Sequence, residues 1–388
     1  MTAPLPDLTS VVRPGDAILV GQAGAEPQTL VEALVAQREA LTGCRVFLGI
    51  NYSGIVKAAH ADHLRLSSYG GIGHNRALAD AGVLDIVPAP YSQIGPLIRA
   101  GRIGADVVLI QVSPPNERGE HSLGLAADYL VPALEVCRAV VAEVNDQIPW
   151  THGERVLRRE DFALVVESSR PPAAAPARRP SPLDAAIAQQ AAPFVADGAT
   201  LEFGIGALPD ALCAELTGRR RLRIHSGTVG DGILPLFESG AAVDAHCAML
   251  IGTRKLHELA ARNPAIQLRS SEYTHNGTVL AALPRFTAVN SAVEVDLTGQ
   301  VNGEVAGGSY VGAVGGALDF IRAASQSADG VSLMLLPAAR IVERLSGPVA
   351  TPRSEAGIIV TERGAADLRG CSLAERERRL RAISALSK

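Results

Sequence analysis

The sequence predicts an α/β protein of two similar open domains with mostly parallel sheets, and three observations carry that expectation. Apolar runs of strand length alternate with stretches of helical periodicity along most of the 388 residues, the pattern of βαβ units. A proline- and alanine-rich stretch, SSRPPAAAPARRPSP over residues 168–182, divides the chain near its middle; it cannot build a core and reads as an extended, exposed linker. After it, a pattern from the first half returns. Gly24-Ala25-Glu26-Pro27-Gln28-Thr29-Leu30 and Gly206-Ala207-Leu208-Pro209-Asp210-Ala211-Leu212 both read G-A-x-P-x-x-L, each behind a strand and ahead of a helix.

In chain order, the first half offers strands at 16–20, 45–50, 64–68, 84–87, 106–111 and 139–144, with a glycine turn at 21–26 and a helix over 27–37. The expected boundaries are an N-terminal α/β domain over 1–167, the linker over 168–182 and a C-terminal α/β domain over 183–388. The second half offers a strand at 201–203, a helix opening at Pro209, and a second strand at 222–225 that breaks into a glycine turn. Beyond these come a strand at 248–251, a helix over 253–262, and a β-rich stretch over 286–301 turning at Thr298-Gly299. The glycine loop of residues 312–316 follows, then strands at 331–336 and 357–360 and a charged helix over 372–383.

Bulk composition narrows the function. Hydrophobic residues make up 47% and charged residues 20%, as a well-buried globular chain requires, and the net charge is only −4. No basic stripe interleaved with aromatics suggests nucleic acid, and no window approaches the ~18 apolar residues of a membrane span. The first residues lack the basic and apolar regions of a signal peptide, so a soluble cytoplasmic enzyme is expected. The five cysteines, Cys44, Cys137, Cys213, Cys247 and Cys371, are scattered and read as buried free thiols. His60 and His63 have the spacing of a helical metal pair, but nothing completes a set, and they read as surface residues.

The chemistry concentrates in residues 199–232. In a parallel sheet the loops after the strands at 201–203 and 222–225 lie on the carboxyl edge, where open α/β proteins bind ligands. Glycines at 204 and 206 allow close backbone approach, and N–H groups opening a helix can serve an anion or a developing oxyanion.

Many separate motifs, in order, then carry a resemblance. They include Gly24-Ala25-Glu26-Pro27, Asp106-Val-Val-Leu-Ile-Gln-Val-Ser-Pro-Pro115, Gly119 to Gly124, Ala142-Glu-Val-Asn145 and Thr151-His152-Gly153 in the first half. In the second half they include Gly204-Ile205-Gly206-Ala207-Leu208-Pro209-Asp210, Val295-Asp296-Leu297-Thr298-Gly299-Gln300-Val301-Asn302, Gly315-Gly316 to Asp319-Phe320, and Val360-Thr361-Glu362 to Arg369-Gly370. Over nearly its whole length the chain resembles the acetyl-CoA hydrolase/transferase family, the single-chain class I CoA-transferases.

That resemblance implies two CoA-transferase-like, NagB/RpiA-type α/β domains, homodimers, and a thioester bound between the halves. Coenzyme A serves as co-substrate, with no bound cofactor and no metal, and the partners are an acyl-CoA and a carboxylic acid. It also implies an oxyanion hole from the backbone N–H of Ile205 and of the Gly315-Gly316 loop, with Asn302 near the acyl group. Family members carry a nucleophilic glutamate in a pattern like His-(Ser/Thr)-Glu-Met-x-x-Asp-Gly; its carboxylate takes the acyl group as a mixed anhydride and then holds CoA as a thioester.

Here the loop reads His225-Ser226-Gly227-Thr228-Val229-Gly230-Asp231-Gly232, and Gly227 stands at the glutamate's position. Glycine has nothing to acylate. The carboxylates that remain as replacement nucleophiles are Glu202, Asp231 and Glu294, each with a structural reading beside the catalytic one: a strand residue, a loop-holding Asx turn and a cross-hairpin pair. His225 is a candidate base for water, or a structural strand-end residue. Three functions stay open: hydrolysis or another CoA-thioester reaction without the glutamyl intermediate, transfer through a displaced carboxylate, and a non-catalytic CoA-binding subunit beside a catalytic partner.

Overall fold

The computed structural model describes residues 5–176 and 178–386; residues 1–4, 177 and 387–388, which the expected domain and linker ranges include, lie outside the described residues. Two compact units emerge. One comprises Met1–Ala175 with Ala248–Glu272, the other Pro176–Cys247 with Tyr273–Lys388. A single mid-chain boundary therefore misplaces one segment, because 248–272 packs with the first unit. The physical reason is pairing: Ile266–Leu268 lies parallel to His152–Gly153, and bridges join Ala126 to Met249 and Asp128 to Ser270.

In the first unit seven strands form one sheet: β1 (Ala17–Val20), β2 (Arg45–Leu48), β3 (Arg65–Ser68), β4 (Leu84–Ile86), β5 (Val107–Val112), β6 (Ala139–Asn145) and β7 (Leu164–Ser168). Their spatial order is β7-β6-β5-β1-β2-β3-β4, with every pairing parallel. Strands buried on both faces must be apolar throughout, and β1 and β5 are buried at every position. That is why these strands are legible as uninterrupted apolar runs. The order reverses direction at β1, so the turn after β1 sits at a topological switch point, ahead of α1 (Gln28–Ala36).

The linker's first residues are held in place. Arg170 pairs with Glu32 of α1 at 2.7 Å, Asn145 donates to the Arg170 carbonyl, and Gln28 donates to that of Pro171. Helical structure resumes at Pro182–Ala191, where Ser181 and Asp184 form a capping box with proline at the first position.

The second unit repeats the design. Its strands β8 (Thr200–Phe203), β9 (Leu222–Val229), β10 (Ala242–Leu250), β11 (Phe286–Ser291), β12 (Val331–Leu335), β13 (Ile358–Thr361) and β14 (Gly364–Asp367) lie in the order β14-β13-β12-β11-β8-β9-β10. Pairings β9-β8, β8-β11, β11-β12 and β12-β13 are parallel, and the β13-β14 hairpin runs antiparallel. Strand order reverses at β8. Both copies of G-A-x-P-x-x-L thus follow the switch-point strand of their own unit, and the second opens α2 (Ala207–Glu215).

Of the cysteines, Cys44, Cys213 and Cys247 are buried free thiols as expected, whereas Cys137 and Cys371 are half-exposed. His60 and His63 lie on and beside a 3-10 turn and are partly exposed. Among the described residues no helix is long and apolar enough to cross a membrane.

Candidate active site

Construction of the site begins at β8. Its last residue, Phe203, passes into Gly204-Ile205-Gly206, and Gly206 caps α2 with φ +128°, a conformation that L side chains rarely adopt. A Cβ on Gly204 or on Gly206 would meet nothing within 4 Å, so both glycines border open space at the switch-point edge. A second glycine pair opens α3 (Ala317–Gln326). Gly315 holds φ +59° and is similarly open, with Ala313 O at 4.0 Å as its only near atom.

The second strand corrects the sequence reading. The glycine turn expected after His225 does not form there; β9 continues through Ser226-Gly227-Thr228-Val229, and the turn falls at Gly230–Gly232. A side chain explains the continuation. The hydroxyl of buried Ser226 lies 2.8 Å from the carbonyl oxygens of both Phe203 and Thr228 and shares its one proton between them, tying β9 to the end of β8. His225 and Gly227 are therefore strand-interior residues on one face.

Register places more groups on that face. Thr200 pairs with Arg223 and Leu201 with Ile224, so Glu202 points the same way as His225 and Gly227. Glu202 is opposite Ala288 of β11, and Asn290, two residues on, donates to its carboxyl at 3.0 Å. Burial pushes Glu202 up to about 8, against the lowering effect of the hydrogen bonds from Asn290 and the Val289 backbone. At neutral pH it is a carboxylic acid, which makes it a weak nucleophile.

Across this face runs the segment Tyr273-Thr274-His275. Tyr273 and Thr274 end the short helix Ser271–Thr274, and His275 lies in the break before a second, Gly277–Ala281, which is capped by Asn276, whose side chain accepts from Thr278 and Val279. His225 Nε2 lies 3.1 Å from the Thr274 carbonyl, which can only accept, so this nitrogen carries the proton. That bond, together with the Tyr273 ring 5.4 Å away, makes His225 an anchor for the segment.

His275, which sequence reasoning missed, fills the space over Gly227. A Cβ at Gly227 would lie 2.9 Å from both Cε1 and Nε2 of the imidazole, closer than real Cβ contacts come, and one at Gly316 would lie 2.5 Å from Nε2. Phe320 of α3 lies alongside the ring at 4.6 Å between centroids, and Thr274 Oγ1 is 2.9 Å from Nδ1. Two glycines far apart in the chain are matched to one histidine. No local signal in Tyr-Thr-His-Asn-Gly announces this.

The other sequence candidates lie elsewhere in the unit. Asp231 sits in the turn after β9, close enough to Asp210 that its charge, added to burial, raises the Asp210 carboxyl. Glu294 belongs to a hairpin pairing Glu294 with Asn302, where it accepts from the Ser346 backbone at 2.9 Å and its hydroxyl at 2.8 Å. Burial pushes Glu294 up, but these bonds, a contact from Asn302 and the charge of Arg340 outweigh it and hold the carboxyl below its ordinary value. Asn302 is itself fully buried: its amide nitrogen donates to the Val305 carbonyl at 2.7 Å and its oxygen accepts from Glu304 and Val305. Both residues are committed to shaping the hairpin and the turn that follows it.

Comparison with known proteins fixes the family. Residues 5–174 match the acetyl-CoA hydrolase/transferase N-terminal domain, and residues 252–386 match the C-terminal domain of the same family. The chain belongs to the acetyl-CoA hydrolase/transferase family. Similar proteins include a 4-hydroxybutyrate coenzyme A transferase of Clostridium kluyveri, 32% identical across 94% of this chain and 89% of that protein. A succinyl-CoA:acetate/propanoyl-CoA:succinate CoA transferase of Fasciola hepatica is also 32% identical, across 81% of this chain and 70% of its own length. Among solved structures, RipA from Yersinia pestis superposes with TM-score 0.91 at 29% identity, covering 97% of this chain and 92% of RipA. A 4-hydroxybutyrate CoA-transferase from Porphyromonas gingivalis superposes at 0.79 with the same identity and coverage. The mixed α/β architecture with mostly parallel sheets, expected from the sequence, is the fold of these CoA-transferases.

Proposed function

We propose that this acetyl-CoA hydrolase/transferase family enzyme binds an acyl-CoA thioester and moves CoA from it to a carboxylic acid. The observation that carries the reading is the pair of glycine openings, 204–206 and 315–316. Each precedes a helix, and Gly204, Gly206 and Gly315 border open space, so the Ile205 and Gly315-Gly316 N–H groups can meet a thioester oxygen as it gains charge. The relatives named as CoA transferases support the reaction class. The substrates are an acyl-CoA and a carboxylic acid, and coenzyme A is the co-substrate, with no bound cofactor. The assembly is a cytoplasmic homodimer, with a hetero-partner as the alternative.

A second reading, acyl-CoA hydrolysis, is favoured by Gly227. The covalent route needs a carboxylate, Gly227 supplies none, and imidazole occupies the space above it. Intact-protein mass after incubation with acyl-CoAs and borohydride separates the two. A loss of about 14 Da, a carboxyl reduced to an alcohol, mapped to Asp231, Glu202 or Glu294 supports covalent transfer. Unmodified protein with free CoA released supports hydrolysis, and neither modification nor release would favour a non-catalytic CoA-binding subunit.

The glycine openings have their own test. Gly315→Val places a β-branched residue at φ +59°, on the border of the open space. It is expected to weaken CoA-ester binding by more than about tenfold in titration calorimetry, through loss of oriented N–H donors. Unchanged binding would remove the loop from the site.

A further inference from the structure

We propose that the amino edge of the first unit's sheet carries a binding site for a small hydroxylated phosphate monoester, held by the guanidinium groups of Arg45, Arg65 and Arg102. The inference goes beyond the acyl-CoA reading and is independent of it. The site lies within one unit, at the end of the sheet opposite the switch-point loop after β1.

Three observations carry it. The first is a cavity of about 270 Å³, lined by buried Phe47, by Ser67 and Asp85, and by all three arginines. The second is register. Arg45 and Arg65 open β2 and β3 directly opposite each other, in one row with Ala17 of β1, so their side chains leave the same face. Like charges so placed destabilise a sheet unless a counter-charge joins them. The third is that the protein supplies none. Elsewhere in this unit partly exposed arginines close on carboxylates, Arg38 on Asp62 at 2.9 Å and Arg170 on Glu32 at 2.7 Å. Among the described residues, Arg45, Arg65 and Arg102 make no ion pair and no side-chain hydrogen bond, and neither does Asp85. The carboxylates nearby are taken: Asp16 by Arg138 at 2.5 Å, and Asp106 by the Ala17 N–H at 2.8 Å.

These groups define what the cavity takes. Three guanidiniums against one carboxylate leave two positive charges in surplus, which matches a phosphate monoester dianion. Guanidinium forks engage phosphate oxygens in pairs. The next row on the same face is Phe47, Ser67 and Asp85, aligned across β2, β3 and β4. With the phosphate on the arginine row, the rest of the ligand meets an apolar ring, a hydroxyl and a carboxylate that repels anions but accepts from hydroxyl groups. Gly104 lets the loop that carries Arg102 come down on this edge, because a Cβ there would lie 2.3 Å from that of Ala17 and 3.4 Å from Arg45 Nη2. An occupied cavity thus neutralises the arginine row and ties the Arg102 loop to the sheet.

Titration calorimetry of the full chain tests this with inorganic phosphate, glycerol 3-phosphate and succinate, at neutral pH, in about 0.15 M NaCl and with no CoA ester present. The expected result is one glycerol 3-phosphate per chain with Kd below about 1 mM, and weaker binding of inorganic phosphate, which cannot span both rows. The double variant Arg45→Gln/Arg65→Gln is expected to weaken binding by about tenfold or more. Its unfolding midpoint without ligand should equal or exceed that of the wild type, because a like-charge pair is gone. Ser67→Phe keeps every charge but fills the cavity, and it is expected to abolish binding. Should either variant fail to fold, Arg102→Gln carries the test, with the same loss expected and unchanged binding overturning the site. Binding that survives S67F, binding that R45Q/R65Q leaves at the wild-type level, or no binding by the wild type overturns the site. Succinate or inorganic phosphate binding as tightly as glycerol 3-phosphate overturns the ligand class. None of these results touches the acyl-CoA reading, which fails instead if the chain neither binds nor turns over a CoA ester.

Discussion

Gly227→Glu, the substitution that writes the family's carboxylate back into the sequence, is expected to destabilise the protein by about 3 kcal/mol or more and to give no covalent transferase. The Cβ alone would stand 2.9 Å from His275 Cε1 and Nε2, and the ring has no slack to give, with Phe320 at 4.6 Å on one side and Thr274 bonded to Nδ1. Overpacking of this kind costs ~1–3 kcal/mol, and a carboxylate pressed into a buried face without a designed partner adds its desolvation. The double variant G227E/H275A removes the obstruction and is expected to recover more than half of the loss. That appears in a double-mutant cycle as a coupling energy of at least about 1 kcal/mol. Urea unfolding of the four proteins measures it. Only the double variant has room for a carboxylate at 227, so borohydride trapping should remove about 14 Da there in the double variant alone. A G227E protein as stable as wild type, or a double variant no better than the single one, would show that His275 does not hold that space.

The same residues show what the chain discloses by itself. Strands β1 and β5 were legible because strands buried on both faces of a parallel sheet read as apolar runs, and the switch-point loops because glycine and proline punctuate them; β7, partly exposed along Leu164–Ser168, was not among the expected strands. β9 was read four residues short: Ser-Gly-Thr-Val-Gly-Asp-Gly has the composition of a turn, and what keeps it a strand is the bond from Ser226 to the Phe203 carbonyl of β8. Long-range pairing likewise decides that 248–272 groups with the first unit. In the site, the glycines at 204, 206, 227, 315 and 316 were all singled out from sequence. The histidine that gives two of them their meaning was not, because a lone histidine between two short helices carries no signal until the fold places it against residues that lack a Cβ. Glu294 and Asn302 illustrate the reverse case. Their residue types suit acyl chemistry, but the hydrogen bonds of Ser346, Glu304 and Val305 commit them to a hairpin.

Glu202→Gln is expected to make the protein more stable at neutral pH, by about 3 kcal/mol at pH 7, and to have almost no effect at pH 4. Burial pushes the carboxyl up to about 8, whereas in the unfolded chain it titrates at the ordinary glutamate value. Between those two points the folded state holds one more proton than the unfolded state. Stability therefore falls as pH rises through this window, at up to about 1.4 kcal/mol per pH unit, and it is fully retained only below the unfolded value. Glutamine keeps an oxygen to accept from Asn290 at the place where Glu202 now accepts at 3.0 Å, and it has no proton to lose. Denaturant midpoints of the two proteins at pH 4, 5.5, 7 and 8 check the sign. A difference that is constant with pH, or that favours the wild type at pH 7, defeats the argument. A fold that tolerates such a cost on the face shared by His225 and Gly227, at the strand leading into the glycine opening, places a protonated acid where acyl chemistry is expected. If E202Q gains stability while its CoA release slows, the carboxylic acid takes part in the reaction as a proton donor. If stability rises with no slowing, Glu202 serves only to bind Asn290 and to hold β8 against β11.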